Sequence, residues 1–358
     1  MDEKRMDRRD FCGVATAILG GVASGFGGLS SAYSQTIKDE ISVGWLRLAC
    51  TGQSFVAEGA GHGAWAELMM KHQLFNAGAE SIEAMGAGVI SASYLGVTPA
   101  ISAITRGVPA KMYVGGHRRG MGLVIPAGSK IQSIKDLRGK NISTLGRGSL
   151  PDMQLRVTAR ENGLDPDRDF NLIPLPSAEA VSALAKGSID GLMNCPEWPQ
   201  VALTTLKNSK FLVTDMDGSL WHGPDTQCVV VIVKNDFVAK NPRALKKLLH
   251  VHVKASRMMV DQPKESAQII SKYEGAPVDA SLLALSHMYV SPVPSVDSLL
   301  KWRDKMFEFG MLKRKPLIKE LLDLGPLRDV LKEAKEKVWL EDLDKQMALF
   351  EAVREREG

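Results

Sequence analysis

Arg147-Gly148-Ser149 is the segment of this chain best suited to holding an anion. Glycine lets backbone approach a ligand, the N–H groups of the following helix start are free to donate, and a guanidinium can add a bidentate pair. Gly96-Val97-Thr98 offers a second such place, between the β-branched and aromatic run Ile90–Leu95 and the apolar-periodic segment Ala100–Thr105. It therefore falls at the carboxyl end of a strand and the amino end of a helix, where open α/β sheets take their ligands. Pro99 suits a first helical turn, Thr98 is placed to cap it, and Ser54 is placed to cap a helix over Phe55–Gly61. Tyr94, Trp198 and Trp221 are aromatics able to wall an apolar pocket. Other chemistries find no support in the spacing. Gly146-Arg147-Gly148 lacks the Gly-Lys-Ser/Thr ending of a phosphate loop, and His62, His117 and His222 stand apart from any metal-ligand spacing. No Ser-His-Asp or Cys-His set can be assembled, and His117-Arg118-Arg119 reads as a solvated basic turn. The residues speak for binding, with no catalytic residue, metal ligand or cofactor.

Strand, turn and helix signals alternate along the chain, which is the pattern of an α/β protein. Strands are expected at Ile41–Leu48, Leu68–Phe75, Ile90–Leu95, Lys111–Val114 and Gly120–Pro126. A second set follows at Asn141–Leu145, Asn171–Leu175, Ile189–Asn194 and Phe211–Thr214, with helices between them. Thr226–Val233 is almost wholly β-branched, as befits a strand buried on both faces, and is placed back in the first set. The division is residues 35–127 for the first part of lobe I, 128–217 for lobe II, 218–310 for the return to lobe I, and 311–358 for a helical tail. Crossings near Pro126–Lys130 and Asp217–Thr226 would be the hinges, and Leu327–Arg356 is expected to be an amphipathic helical tail.

With 358 residues and 44 % hydrophobic content, the chain can supply a core to each of two domains, and a formal charge of +4 with scattered Lys and Arg excludes a nucleic-acid footprint. Residues 1–34 read as a twin-arginine export signal: Arg8-Arg9, a Gly- and Ala-rich apolar run, and small residues ending at Ser34. The remaining Cys50, Cys195 and Cys228 read as three small buried residues, at least one of them unpaired.

Phe75-Asn76-Ala77-Gly78, Ala92-Ser93-Tyr94-Leu95-Gly96-Val97-Thr98-Pro99-Ala100-Ile101 and Arg106-Gly107-Val108-Pro109-Ala110-Lys111 resemble the extracytoplasmic solute-binding proteins of nitrate, sulfonate and taurine ABC transporters. So do Leu137-Arg138-Gly139-Lys140, the Gly148-Ser149 loop and Gly187-Ser188-Ile189-Asp190-Gly191. The resemblance covers roughly Ile41 to Leu324. It implies a type II periplasmic binding protein fold, two αβ lobes about a central cleft, holding a small, anionic organic molecule. By position the ligand-binding loops would be Gln53-Ser54, Asn76-Ala77, Gly96-Val97-Thr98, Gly148-Ser149-Leu150 and Glu197-Trp198. The implied partners are an inner-membrane permease and its ATPase, with the binding protein itself a monomer in the periplasm. This chain departs from the pattern at Ser91, where many members carry aspartate, and at Cys195-Pro196-Glu197-Trp198-Pro199, which replaces a tryptophan-glutamate-proline run. Two rival readings follow from the same fold: an enzyme related to thiamine-pyrimidine synthases, or a ligand-sensing subunit of a membrane receptor.

Overall fold

The structure, a computed structural model, describes residues 39–46 and 48–358. The expected export signal lies outside the described residues. In the first sheet, β1 (Asp39–Leu46), β2 (Leu68–Phe75) and β3 (Ala92–Gly96) run parallel, with β1 between the other two. The helices α1 (Gly52–Gly59), α2 (His62–Trp65) and α3 (Gly78–Gly86) connect them, and α4 (Val97–Thr105) leads on to β4 (Ala110–Arg118). The second sheet uses β5 (Gly122–Ile125), β6 (Asn141–Thr144), β7 (Asn171–Pro174), β8 (Gly191–Asn194) and β9 (Lys210–Thr214). Its connecting helices are α5 (Leu150–Glu161), α6 (Ser177–Ala185) and α7 (Trp198–Thr205).

The chain then returns through β10 (Gln227–Lys234) to the first sheet, whose order is β11-β4-β10-β3-β1-β2, with β11 at Tyr289–Val290. The strand β10 lies antiparallel between β3 and β4. Six consecutive apolar residues, Cys228–Val233, are fully buried there, because a strand with neighbours on both edges and helices on both faces has no solvent side.

The second sheet has the order β7-β6-β8-β5-β9, with β5 antiparallel to both neighbours. This corrects the expected boundary, since Gly122–Ile125 belongs to the second sheet and not to the end of the first lobe. The first crossing is accordingly Arg119–Met121, earlier than Pro126–Lys130, while the second runs through 215–226 as expected. Asp215 ties the two crossings together: its Oδ1 accepts from Gly120 N at 2.8 Å and its own N–H donates to Met121 O at 3.2 Å.

Helices α8 (Asn235–Lys240), α9 (Pro242–Asp261), α10 (Pro263–Glu274), α11 (Val278–His287) and α12 (Val296–Glu308) follow, then the single turn α13 (Ile318–Leu321). The tail consists of two helices, α14 (Gly325–Glu333) and α15 (Lys337–Glu357). Between them Lys335 takes φ 58°, a left-handed conformation that cannot continue a helix. Trp339, Leu343, Phe350 and Val353 are buried. Arg118 is also buried, paired with Asp342 of α15 at 3.0 Å, so the expected solvated turn is part of a packed interface. Among the described residues no helix is long and apolar enough to cross a membrane.

Candidate functional site

Five helices begin at one cavity of about 240 Å³ between the two sheets. From the first sheet come Ala77 and Gly78 at the start of α3, and Gly96 and Pro99 at the start of α4. The second contributes Ser149, Leu150 and Pro151 of α5, Pro176, Ser177 and Ala178 of α6, and Trp198 of α7. Four of these helices have no side-chain cap on their first turn; at α5, Ser149 Oγ accepts a long bond from Asp152 N at 3.4 Å. Unpaired first-turn N–H groups and the positive ends of the helix dipoles therefore converge on one small volume.

Leu46, Leu48, Leu145 and Trp198 give the cavity apolar walls, Asn76 adds an amide, and no Lys, Arg, His, Asp or Glu lines it. The buried indole N–H of Trp198 has no hydrogen-bond partner among the described residues, which leaves a donor at the wall. A larger groove of about 780 Å³, lined by Met259, Leu282, Leu283 and Trp339, lies among the first lobe's helices and the short edge strand β11. No residue of the second sheet lines it, so the smaller cavity, which both sheets line, is the candidate site.

Of the residues singled out in the sequence, Asn76, Ala77, Gly96, Ser149, Leu150 and Trp198 line this cavity. Gly148 takes φ 82° beside it, a conformation natural to glycine, and its carbonyl accepts from Thr98 Oγ1 at 3.0 Å. Thr98 is thus not the expected cap. It sits inside α4 with Val97, and its hydroxyl bridges the lobes. Ser54 is likewise inside α1, donating to Thr51 O at 2.7 Å. Gln53 is buried, donating to Gly116 O at 2.6 Å.

Arg147 is 63 % exposed and bonded to Asp167 at 3.0 Å. Asp167 also receives Arg156, which pairs with Asp152, so Arg147 belongs to a surface charge network and not to the cavity. Tyr94 is buried against His252, its hydroxyl 3.1 Å from Nδ1. Since His252 Nε2 donates to Gly115 O at 2.7 Å and burial depresses its pKa to about 4, the ring is neutral and accepts from the tyrosine. Trp221 packs edge-on against Trp302, centroids 4.7 Å apart. Glu197 is wholly buried and accepts from Ser281 of α11, which makes it a tie between lobes. Gln200 adds bonds of 3.0 Å to Gly120 O and to His287 Nδ1.

The site also contains a group the sequence did not assemble, although it singles out Cys195 as a residue an enzyme on this fold could use. Cys50 and Cys195 line the cavity and Cys228 lies beside them, all three buried and free. Their sulfur atoms lie within 4.8 Å of one another, and Cys228 Sγ is 4.0 Å from Cys195 Sγ. Hydrogen bonds from Cys228 and Cys50 hold the Cys195 thiol down at about 5, while both partners are pushed up. No local spacing announces this group, because the three come from β1's exit, β8's exit and β10.

Two αβ lobes, each offering strand ends and helix starts to a shared cavity, define the periplasmic binding protein class of fold. Residues 34–273 match the model of the NMT1-like family, and the chain belongs to that family. Among its relatives, a Brucella abortus protein named as a binding protein is 27 % identical over 224 residues, 62 % of this chain and 68 % of that one. The taurine-binding periplasmic protein of Escherichia coli is 21 % identical over 270 residues, 74 % of this chain and 80 % of that one. The crystal structure of the nitrate-binding protein NrtA from Synechocystis superposes with TM-score 0.71 at 14 % identity, covering 82 % of this chain and 88 % of that one. The desulfurization enzyme DSZB shares the fold as well, with TM-score 0.63 at 13 % identity, in its complex with biphenyl-2-sulfinic acid, covering 83 % of this chain and 99 % of that one.

Proposed function

We propose that this chain is the solute-binding component of an ABC importer, exported by its twin-arginine segment, which closes two lobes on a small organic anion and passes it unchanged to a membrane permease. The observation that carries the reading is the convergence of five helix starts from both lobes on one cavity lined by no Lys, Arg, His, Asp or Glu side chain. A negative head group is held there by backbone N–H groups and dipoles, with Ser149, Ser177, Asn76 and the Trp198 indole as further donors. The leucine and proline walls favour a ligand with an apolar part, such as a sulfonate or carboxylate, over bare nitrate or bicarbonate, which have no apolar surface to cover them. At 240 Å³ the cavity is below the about 300–1,000 Å³ usual for drug-sized ligands, which keeps the ligand small.

Closure follows from the geometry: only when Gly148 meets Thr98 do helix starts of both lobes face the same molecule, so ligand favours the closed form. A thermal-shift panel of short-chain and aromatic sulfonates, carboxylates, nitrate and neutral analogues tests this. A ligand at a hundredfold its Kd adds about 2.7 kcal/mol of stability. If only neutral compounds shift the midpoint, the anion reading fails; if the stabilising ligand is recovered chemically altered by mass spectrometry, the protein is an enzyme.

A further inference from the structure

The three cysteines at the floor of the cleft make a site that the binding of an organic anion does not use. Four buried sulfur atoms meet there, those of Cys50, Cys195 and Cys228 and, 4.0 Å from Cys195 Sγ, the thioether of Met121. No imidazole or carboxylate belongs to the group. An ion at the centre of a triangle of thiolates, with metal–sulfur bonds of about 2.3 Å, needs sulfur atoms about 4.0 Å apart, the bond length times the square root of three. Cys195 and Cys228 already stand at 4.0 Å, and the third sulfur is within 4.8 Å of both.

We propose that Cys50, Cys195 and Cys228 form a trigonal thiolate site for a soft, thiophilic monovalent cation, copper(I), which links the two lobes at the base of the cleft. The donor chemistry selects the ion: an all-sulfur set, with a thioether as the nearest further donor, suits copper(I) and leaves nothing for a hard cation. Access is provided because Cys50 and Cys195 line the cavity. Charge is provided for as well. Three thiolates around one monovalent cation make a complex of charge −2, placed where the positive ends of five helices converge. Cys50 and Cys228 belong to the first lobe, whereas Cys195 follows β8 of the second and Met121 ends the first crossing, so the bound ion would resist opening. The bound ion and the organic anion draw on the same helix ends, so copper loading should weaken binding of the anion rather than add to it.

The test uses the full chain carrying Cys12→Ser, reduced and free of oxygen, so that only these three thiols are counted. Titration against a colorimetric copper(I) chelator should withdraw one equivalent of copper, and X-ray absorption should show a first shell of three sulfur atoms. Cys50→Ser and Cys195→Ser, at the cavity surface, should each weaken retention more than tenfold while preserving the far-UV spectrum; Met121→Leu should change it far less. Cys228→Ser is the riskier variant for folding, and the X-ray shell of the otherwise unsubstituted chain does not depend on it. The proposal is overturned by a chain that cannot compete for copper, by a shell containing nitrogen or oxygen, by cysteine variants that retain copper as before, or by tighter retention of zinc(II) in the same competition.

Discussion

Replacing Asp215 by Asn should convert a pH-dependent hinge into a pH-independent one. Burial raises this carboxyl group from 3.8 to about 7, outweighing the N–H groups of Gly120 and Met121 that favour its ionised form, and one of its oxygens is buried without a partner. Raised from 3.8 to about 7, Asp215 costs the folded state about 4 kcal/mol more to charge than the unfolded chain. The sign follows from proton uptake. Between about pH 4 and pH 7 the native state binds a proton that the unfolded state has released, so this group's contribution is full below about 4, falls as pH rises, and is flat above about 7. Asparagine keeps the oxygen that accepts from Gly120 and never ionises. Urea unfolding at half-unit steps from pH 4.5 to pH 8 should therefore show the variant gaining about 3 kcal/mol on the wild type across that window. Other titrating groups cancel in the difference. A difference independent of pH would mean that Asp215 is hydrated in solution and that the two crossings are not sealed as described.

Removing the Thr98 hydroxyl with Thr98→Val deletes the bond to Gly148 O across the lobes, worth about 0.5–1.5 kcal/mol. We predict a severalfold loss of ligand affinity and a larger radius by small-angle scattering in ligand, whereas unchanged values would show that this bridge does not hold the closed form. Arg147→Ala should leave ligand affinity unaltered and stability within about 0.5 kcal/mol, because the side chain is exposed and its partner Asp167 keeps Arg156; a tenfold affinity loss by calorimetry would put the guanidinium at the ligand. For the cavity donors, Ser149→Ala and Trp198→Phe should each cost about tenfold in affinity. Their apo melting points should move little, since the Ser149 cap bond is long and phenylalanine fills most of the indole's space. Trp198→Ala is the wrong variant, as emptying a buried tryptophan site costs about 3–5 kcal/mol by itself.

Local signals carried the sequence reading wherever a residue's role is set by its own neighbours. Pro99 in a first turn, the glycine after Arg147 and the unbroken apolar run of β10 each state their conformation, and the helix starts facing the cavity were legible from them. Partners distant in the chain were not. Arg147 looked free because Asp167 lies in a loop beyond α5, and Tyr94 looked available because nothing near it announces His252. Trp221 resembles a pocket wall until Trp302 is brought against it by a helix far downstream. The placement of Gly122–Ile125 failed for a related reason: a short buried strand has the same composition in either sheet, and only its pairing with β8 and β9 assigns it. Cys50, Cys195 and Cys228 were read singly, and it takes the fold to collect them.

Only the first sheet is completed by strands that follow the second lobe in the chain, and this sets the timing of the two. Every strand of the second sheet lies within residues 122–214, so that lobe has all its parts as soon as Thr214 has left the ribosome. The first sheet must wait for 227–234, and until then β3 and β4 present bare edges to each other across a gap the width of one strand. Synthesis order therefore sets assembly order, with the middle of the chain maturing before its beginning. Chains truncated near residue 220 should yield protease-resistant fragments from the second sheet alone, and the nascent first lobe is the segment that most needs a chaperone's cover.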